Sequence, residues 1–223
     1  MSLSLFREFD QIVVLDTETT GILHKKDEII ELAALRCDAA GLQEEMDLFI
    51  RLSPGKDLPP MIPDLTGITE EMLLHEGVSK QEAAERFVSM LRSPNTLVVA
   101  YNAQFDLCFL FYFLARLGMA DALKGIKMLD AMTVYKDRRE FPHKLANAIE
   151  AYSLQGENTH RAIDDTKATL ELLHAMAQEE DDLLNYINLF GYNPKYGVSG
   201  QKISSVNYRP QGFRPNGKLY HMP

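Results

Sequence analysis

The sequence has few of the features that mark membrane-spanning, secreted or disulfide-bonded proteins. It contains only two cysteines, Cys37 and Cys108, both in largely apolar surroundings. This pattern favours reduced core thiols in a cytoplasmic protein over a redox pair. No stretch approaches the ~18–20 consecutive apolar residues of a membrane span. Residues 1–10 lack a basic region followed by an apolar run, so we expect neither a secretory signal nor a membrane partner.

The chain also lacks an excess of basic residues. Its formal net charge of −9 argues against a general polyanion-binding surface, although bound metal ions can invert the local field at a single site. The charge is uneven, because residues 195–223 contain five basic residues and no acidic one, while the rest of the chain carries −14. This basic tail either packs over the domain surface or contacts a phosphate backbone or a partner.

The order of the predicted elements indicates an α/β layered fold. Strand-like apolar patterns come first, and helices then alternate with further strands. The predicted strands are residues 12–18, 29–35, 46–51, 97–100 and 126–129. The predicted helices are 69–73, the segment that Ser79 caps, 104–117, 144–152 and 162–177. We predict one domain over residues 1–185 and an irregular, basic C-terminal extension over 186–223, where glycine and proline interrupt any periodic pattern.

The most informative segment runs from Ile12 to Gly21. Four apolar residues lead directly into Asp16 and Glu18, and a Thr-Thr-Gly turn ends the strand. Residues two apart on a strand face the same side, so the two carboxylates would lie next to each other. They repel each other unless they share a proton or a cation. The simplest solution is a divalent ion with oxygen ligands, such as Mg²⁺ or Mn²⁺, which requires further acidic residues.

Two later segments can supply those acidic ligands. Asp106 follows strand 97–100 in the first turn of an apolar helix, while Asp164 and Asp165 lie in the first turn of the helix after His160. Each position also has a simpler explanation, because carboxylates are favoured at helix N-termini. A histidine close to a carboxylate-bound metal is, however, a natural general base for a water nucleophile.

Taken together, the three segments resemble the three exonuclease motifs of the DEDDh superfamily. They read DTETTG from Asp16, NAQFD from Asn102 and HRAIDD from His160, and the resemblance covers residues 11–177. The superfamily includes the proofreading subunits and domains of bacterial replicative DNA polymerases. The resemblance implies an RNase H-like three-layer fold with a mixed five-stranded sheet flanked by helices. It also implies hydrolysis from a 3′ end with release of nucleoside 5′-monophosphates.

The same resemblance implies a catalytic site with two divalent metal ions, Mg²⁺ or Mn²⁺. Asp16 would bridge the two ions, Glu18 and Asp165 would complete the first metal site, and Asp106 would support the second. His160 would deprotonate the attacking water. One ion would then generate the hydroxide while the other stabilises the departing 3′ oxygen.

Some details of the motifs bear on subclass and on substrate. The family pattern His-x-Ala-x-x-Asp selects Asp165 rather than Asp164 as the ligand, and Arg161 stands where the tyrosine subclass has Tyr. Tyr101 and Thr66 occupy positions at which many members have His. Neither departure removes a metal ligand, but both affect how the terminal nucleotide is held.

Four further residues match family positions that contact the terminal nucleotide: Thr19, Ile22, Asn102 and Phe105. The sequence also allows a structural interpretation of each one. Thr19 and Asn102 could stabilise a turn or cap a helix, and Ile22 and Phe105 could pack in the core.

The leading hypothesis is a metal-dependent 3′→5′ exonuclease that acts on a single-stranded or frayed DNA end, either alone or with a polymerase in trans. Related ribonucleases share the three motifs, so RNA trimming is an alternative, because the 2′-hydroxyl is sensed by a few contacts around the sugar. A scaffold that binds nucleic acid without catalysis is a second alternative. The intact set of carboxylates with His160 argues against it.

Overall fold

The computed structural model describes residues 3–93 and 95–222, so the ends of the predicted domains at Met1 and Pro223 lie outside the described residues. Within these ranges the strands are β1 (Gln11–Thr19), β2 (Ile29–Asp38), β3 (Gly41–Phe49), β4 (Thr96–Ala100), β5 (Lys127–Asp130), β6 (Leu189–Tyr192) and β7 (Asn207–Pro210). The α-helices are α1 (Met61–Thr66), α2 (Glu70–His75), α3 (Lys80–Met90), α4 (Ala103–Arg116), α5 (Ala131–Arg138), α6 (Leu145–Tyr152) and α7 (Ala162–Glu179). Short 3₁₀ helices span Ser4–Arg7, Ala120–Leu123, Leu183–Tyr186 and Leu219–His221.

Five strands form one mixed sheet in the order β3-β2-β1-β4-β5. The pairs β1–β2 and β2–β3 are antiparallel, whereas β1–β4 and β4–β5 are parallel. The mixed five-stranded sheet that the family resemblance implies is therefore confirmed. Because parallel strands end at the same sheet edge, the carboxyl ends of β1, β4 and β5 lie together. That edge carries the first two acidic motifs.

Both faces of the sheet are covered, which explains why β1 begins with a continuous apolar run. Val13 and Leu15 point into the core that α3 and α4 cover, while Ile12 and Val14 point into the core beneath α5, α6 and α7. This alternation follows from the period of two along a strand. The central strand is therefore held rigidly up to the first of the two acidic residues that follow the run.

The structure contains a helix, α5, that the sequence patterns did not predict. Its apolar residues lack a clear helical period, so no amphipathic stripe marks it. The local signal is Asp130, whose side chain accepts hydrogen bonds from the Met132 main chain (3.2 Å) and the Thr133 hydroxyl (2.5 Å) and thereby caps the helix. Among the described residues, no helix is long and apolar enough to cross a membrane.

The prediction that the C-terminal extension is irregular throughout is wrong, because it contains β6 and β7, which pair in parallel. The start of β6 is tied to the main sheet. The Asn188 main-chain N–H donates to the Met128 carbonyl (2.7 Å), and the Met128 N–H donates to the Asn188 side chain (2.8 Å). Phe190 is buried in the core beside α4. Such long-range pairing leaves no local pattern. The division into two domains stays a prediction.

Candidate active site

Asp16 and Glu18 lie at the end of β1 and are both partly buried. Glu18 stands opposite Glu31 of the neighbouring strand β2. The charges of Asp106, Asp165 and Glu18 all act on Asp16 and disfavour its ionised form. The structure thus brings together the four acidic residues that the sequence motifs selected.

Asp106 is buried in the first turn of α4 and is fixed to β1 by Thr17. One carboxylate oxygen, Oδ1, accepts hydrogen bonds from the Thr17 hydroxyl (2.7 Å) and the Thr17 main-chain N–H (3.0 Å). These bonds leave the second carboxylate oxygen, Oδ2, for another partner. Thr17 is a site residue that the sequence pattern did not predict, although it lies between the two acidic residues of the first motif.

The third motif places His160 and Asp165 beside Glu18. One possible ligand atom from each of these three residues lies within 4.8 Å of the others. Asp165 is buried, and its Oδ2 accepts a hydrogen bond from the Asn158 amide (2.5 Å), while its Oδ1 has no partner among the described residues. The neighbouring Asp164 instead accepts a hydrogen bond from a threonine hydroxyl at position 159 (2.6 Å).

Burial, together with repulsion between the carboxylates, raises the pKa values of the whole acidic set. The pKa of Asp16 is raised well above its usual value, that of Glu18 to about 8, that of Asp106 to about 7 and that of Asp165 to about 6. In each case desolvation is the largest cause. A divalent cation would remove this penalty, and the unpartnered buried oxygen of Asp165 is a suitable ligand. The residues present therefore fit a metal centre with oxygen ligands.

Glu31 fixes the third motif to the sheet. It is fully buried in β2, and its carboxylate accepts hydrogen bonds from the Ala162 main-chain N–H (2.9 Å) and from Nε of Arg161 (2.9 Å). The Arg161 guanidinium also packs over the Phe49 ring, 4.8 Å from its centroid. Because Arg161 directly follows His160, this ion pair holds the base candidate in place. Glu31 lies outside the three motifs, and its only signal in the sequence is a single carboxylate within an apolar strand.

Two of the candidate substrate residues lie in the turn after β1. The Thr19 hydroxyl donates to the Gly21 carbonyl (2.6 Å), which fits the turn role that the sequence also allowed. Ile22 is 76% exposed, so its apolar side chain is free to contact a ligand.

The other two candidates lie at the start of α4. Asn102 has a left-handed backbone (φ 65°) and an exposed side chain, and its main-chain N–H donates to Asp130 (2.9 Å). Phe105 is partly buried, with its ring 4.9 Å from Phe109 and 5.7 Å from His24 between centroids. Asn102 therefore offers its amide at the surface, and Phe105 contributes to an aromatic cluster.

The two positions that depart from the family pattern are both buried. The Tyr101 hydroxyl donates to the main-chain carbonyl at His143 (3.0 Å), and the Thr66 hydroxyl donates to that at Ile62 (2.9 Å). Both hydroxyl groups therefore donate their protons to main-chain carbonyls inside the fold.

Comparison with known proteins agrees with this geometry. The RNase T exonuclease family model matches residues 13–173. The chain is 30% identical over 191 residues to a PolC-type DNA polymerase III of Clostridium perfringens, covering 84% of this chain and 12% of that one. It is 34% identical over 177 residues to the 3′-5′ exonuclease DinG of Bacillus subtilis, covering 75% of this chain and 18% of that one. The chain thus spans less than a fifth of the length of these two relatives.

Solved structures show the same fold. Escherichia coli exonuclease I in complex with a dA16 oligonucleotide aligns with a TM-score of 0.72 at 21% identity. The alignment covers 79% of this chain and 42% of that one. A moderately thermophilic exonuclease I from Methylocaldum szegediense aligns with a TM-score of 0.70 at 22% identity, over 79% of this chain and 42% of that chain.

The crowded carboxylates predict a stability that depends on pH and on metal. The Glu18 pKa of about 8 in the folded state exceeds its usual 4.5, so the folded state binds the proton more tightly and loses stability as pH rises between these values. Without divalent metal, Glu18→Gln should therefore gain about 2 kcal/mol over the parent protein between pH 5 and pH 8. This gain is smaller than the full linkage value because Glu18 is partly exposed. Urea denaturation at both pH values measures it.

The matched control for this measurement is Glu140→Gln, since Glu140 is exposed and has no side-chain hydrogen bond or ion pair among the described residues. The Glu18→Gln gain is measured against this substitution at both pH values. Adding Mg²⁺ should stabilise the parent protein more than Glu18→Gln. A Glu18→Gln difference that is the same at both pH values would contradict the electrostatic account.

The Glu31–Arg161 ion pair predicts a second, non-additive effect. Arg161→Met leaves the buried Glu31 carboxylate without its cation and should lower the free energy of unfolding by about 2 kcal/mol. The double variant Glu31→Gln/Arg161→Met should lose less than Arg161→Met alone, because the buried charge is gone while an acceptor for the Ala162 N–H remains. Urea denaturation of both variants measures the coupling.

Lys167 and Glu45 form an exposed ion pair that also joins α7 to β3. Lys167→Met is the control and should change stability by at most about 0.5 kcal/mol. If Arg161→Met were as neutral as Lys167→Met, the positioning role of the Glu31–Arg161 pair would be wrong.

Proposed function

This chain belongs to the RNase T exonuclease family, and from that membership we propose that it is a metal-dependent 3′→5′ exonuclease. It would hydrolyse DNA from the 3′ end and release nucleoside 5′-monophosphates. The observation that carries the proposal is that Asp16, Glu18, Asp106 and Asp165 lie together beside His160, and this group of five side chains is called the acidic pocket below.

We assign the four carboxylates to two divalent ions, Mg²⁺ or Mn²⁺. Asp16 would contact both ions, Glu18 and Asp165 would complete the ligands of one, and Asp106 would support the other. The raised pKa values and the unpartnered Asp165 oxygen support this assignment. When bound, the ions would supply Lewis-acid stabilisation of the charge that develops on the phosphate and on the leaving 3′ oxygen.

His160 is assigned as the general base. Its imidazole is exposed, so it can take a proton from the attacking water and pass it to solvent. Its backbone is left-handed (φ 58°), and the next two residues are hydrogen-bonded to Glu31. These contacts restrict where the imidazole can lie. The side chain therefore faces the pocket without a rearrangement of α7.

Thr19, Ile22, Asn102 and Phe105 are assigned to the terminal nucleotide. The exposure of Ile22 and Asn102 supports a contact role for these two residues. Thr19 would act by shaping the turn that carries Ile22, and Phe105 by supporting the aromatic cluster beneath the nucleotide.

DNA is the favoured substrate because the relatives are a DNA polymerase III and a 3′-5′ exonuclease, and a structural neighbour was crystallised with a DNA oligonucleotide. The likeness to a polymerase also supports a polymerase partner in trans. RNA trimming is the second candidate, since the catalytic groups do not sense the 2′-hydroxyl. The two buried free thiols support a cytoplasmic location.

Asp16→Ala should lower the rate of mononucleotide release from a labelled single strand in Mg²⁺ by about a thousandfold or more, because it removes the bridging ligand. Asp164→Ala is the matched control. It lies beside Asp165 but outside the group formed by Glu18, His160 and Asp165, so its rate should stay within about threefold of the parent protein. Removing the metal with a chelator should abolish release, and adding Mg²⁺ should restore it. Equal rates for the parent protein and Asp16→Ala would exclude the catalytic assignment.

A comparison of three substrates separates DNA from RNA. Single-stranded DNA, duplex DNA with a mismatched 3′ end and a short RNA of the same sequence are digested side by side. We expect both DNA substrates to be shortened at least about tenfold faster than the RNA, because under the DNA proposal the few contacts around the sugar discriminate against the 2′-hydroxyl. Faster digestion of the RNA would replace the DNA proposal with RNA trimming.

A further inference from the structure

The C-terminal segment is fixed to the first turn of α4 by Gln104. This buried side chain donates through Nε2 to the main-chain carbonyls of Ser199 (2.8 Å) and Gln201 (2.9 Å), and its Oε1 accepts from the Tyr208 hydroxyl (2.6 Å). Gln104 lies two residues before Asp106 in the second motif. The stretch from Ser199 to Tyr208 is therefore held at the sheet edge that carries the acidic pocket, and residues 193–208 are called the docked segment below.

The docked segment also contacts the surroundings of the nucleotide candidates. Gly200 has φ +72°, and a Cβ atom there would lie only 2.7 Å from Cε1 of His24. The His24 ring packs edge-on against Phe105, and His24 follows the exposed Ile22 by two residues. A path of direct contacts thus joins the proposed nucleotide site to the docked segment.

The exposed side chains of the docked segment suit a single strand of nucleic acid. Lys195 and Lys202 are exposed and form no salt bridge within the described residues. Their ammonium groups lie 5.2 Å and 5.6 Å from the ring centroids of Tyr196 and Tyr208. Tyr196 is 72% exposed. An exposed aromatic ring beside a lysine ammonium, on a segment with a second exposed lysine, is the chemistry that binds stacked bases and phosphates without sequence preference.

We propose that the docked segment is a second binding element for the single strand whose 3′ end enters the acidic pocket. Lys195 and Lys202 contact phosphates upstream of the terminal nucleotide, and a base stacks on Tyr196. This inference rests on the proposed exonuclease function. It also explains the charge pattern, because the acidic remainder of the chain at −14 offers a polyanion little attraction away from its metal ions.

Gln104 acts here as a positioning residue. Its two main-chain acceptors and its tyrosine donor belong to the docked segment, so its hydrogen-bonding capacity serves attachment rather than chemistry. Deleting the docked segment would be a poor test, because it would remove Val206, which is buried in the core. It would also disturb the chain that leads to Leu219, which is buried as well. Surface substitutions in the full chain avoid this problem.

The test compares a DNA strand of about 20 nucleotides with a dinucleotide, which is too short to leave the pocket, in Mg²⁺ at several salt concentrations. For Lys195→Gln/Lys202→Gln, KM for the long strand should rise about five- to tenfold with kcat within about twofold, while kcat/KM for the dinucleotide stays unchanged. The slope of log kcat/KM against log salt is negative and should become less negative by about 1.4, since each phosphate contact on a single strand contributes about −0.7. Tyr196→Ala should raise KM for the long strand about fivefold or more.

The matched control is Arg7→Gln/Arg92→Gln. It removes the same charge from two exposed residues that precede the amino ends of β1 and β4, at the opposite edge of the sheet. Its kinetics should equal those of the parent protein. The inference would be overturned if both double variants lost the same share of kcat/KM for the long strand, or if neither lost any. In the second case the docked segment would bind an acidic protein partner or serve only for packing.

If the proposed exonuclease function is wrong, the result differs from all of those above. In that case the parent protein would release nucleotides from neither substrate. Fluorescence anisotropy of the labelled long strand in the same buffers then decides the inference alone. A salt slope for binding that Lys195→Gln/Lys202→Gln leaves unchanged would overturn it, and a slope that is less negative by about 1.4 would support it.

Discussion

The mutual repulsion of four carboxylates at the end of β1 is the constraint on which the rest of this structure depends. Each of them is desolvated, and the charges of Glu18, Asp106 and Asp165 disfavour the ionisation of Asp16. A flexible chain would let them separate. Here β1 lies between two packed cores, Thr17 holds Asp106, and Asn158 holds Asp165, so the charges stay together. The stability of the apolar core thus supports an arrangement that is unfavourable until cations bind.

The second level of organisation is the attachment of distant segments to this pocket. Glu31 joins the start of α7 to β2, and Gln104 joins the C-terminal segment to the start of α4. Both side chains are polar and buried. Each forms hydrogen bonds to main-chain groups of another element. Buried polar groups must be paired, so such residues hold their partners in one geometry. The pocket and its proposed strand-binding element therefore share one rigid frame.

Local sequence patterns predicted the elements whose formation depends on neighbouring residues. The apolar run before Asp16 predicted a buried strand, and alternation placed Asp16 and Glu18 on one side of it. They did not predict the elements whose formation depends on contacts with distant parts of the chain. The helix α5 depends on a capping aspartate and on burial against the sheet. The pairing of β6 with β7 joins residues far apart in the chain and leaves no period in either segment.

The sequence by itself determined which carboxylates and which histidine follow one another in motif order, and that carboxylates this close must share a proton or a cation. Residue type and spacing along a strand or helix carry that information directly. The tertiary structure alone decided how the motifs meet and what holds them there. The roles of Thr17, Glu31 and Gln104 come from hydrogen bonds across 89, 131 and 95 residues of chain. Contacts at such separations depend on the packing of the whole sheet, which no local spacing records.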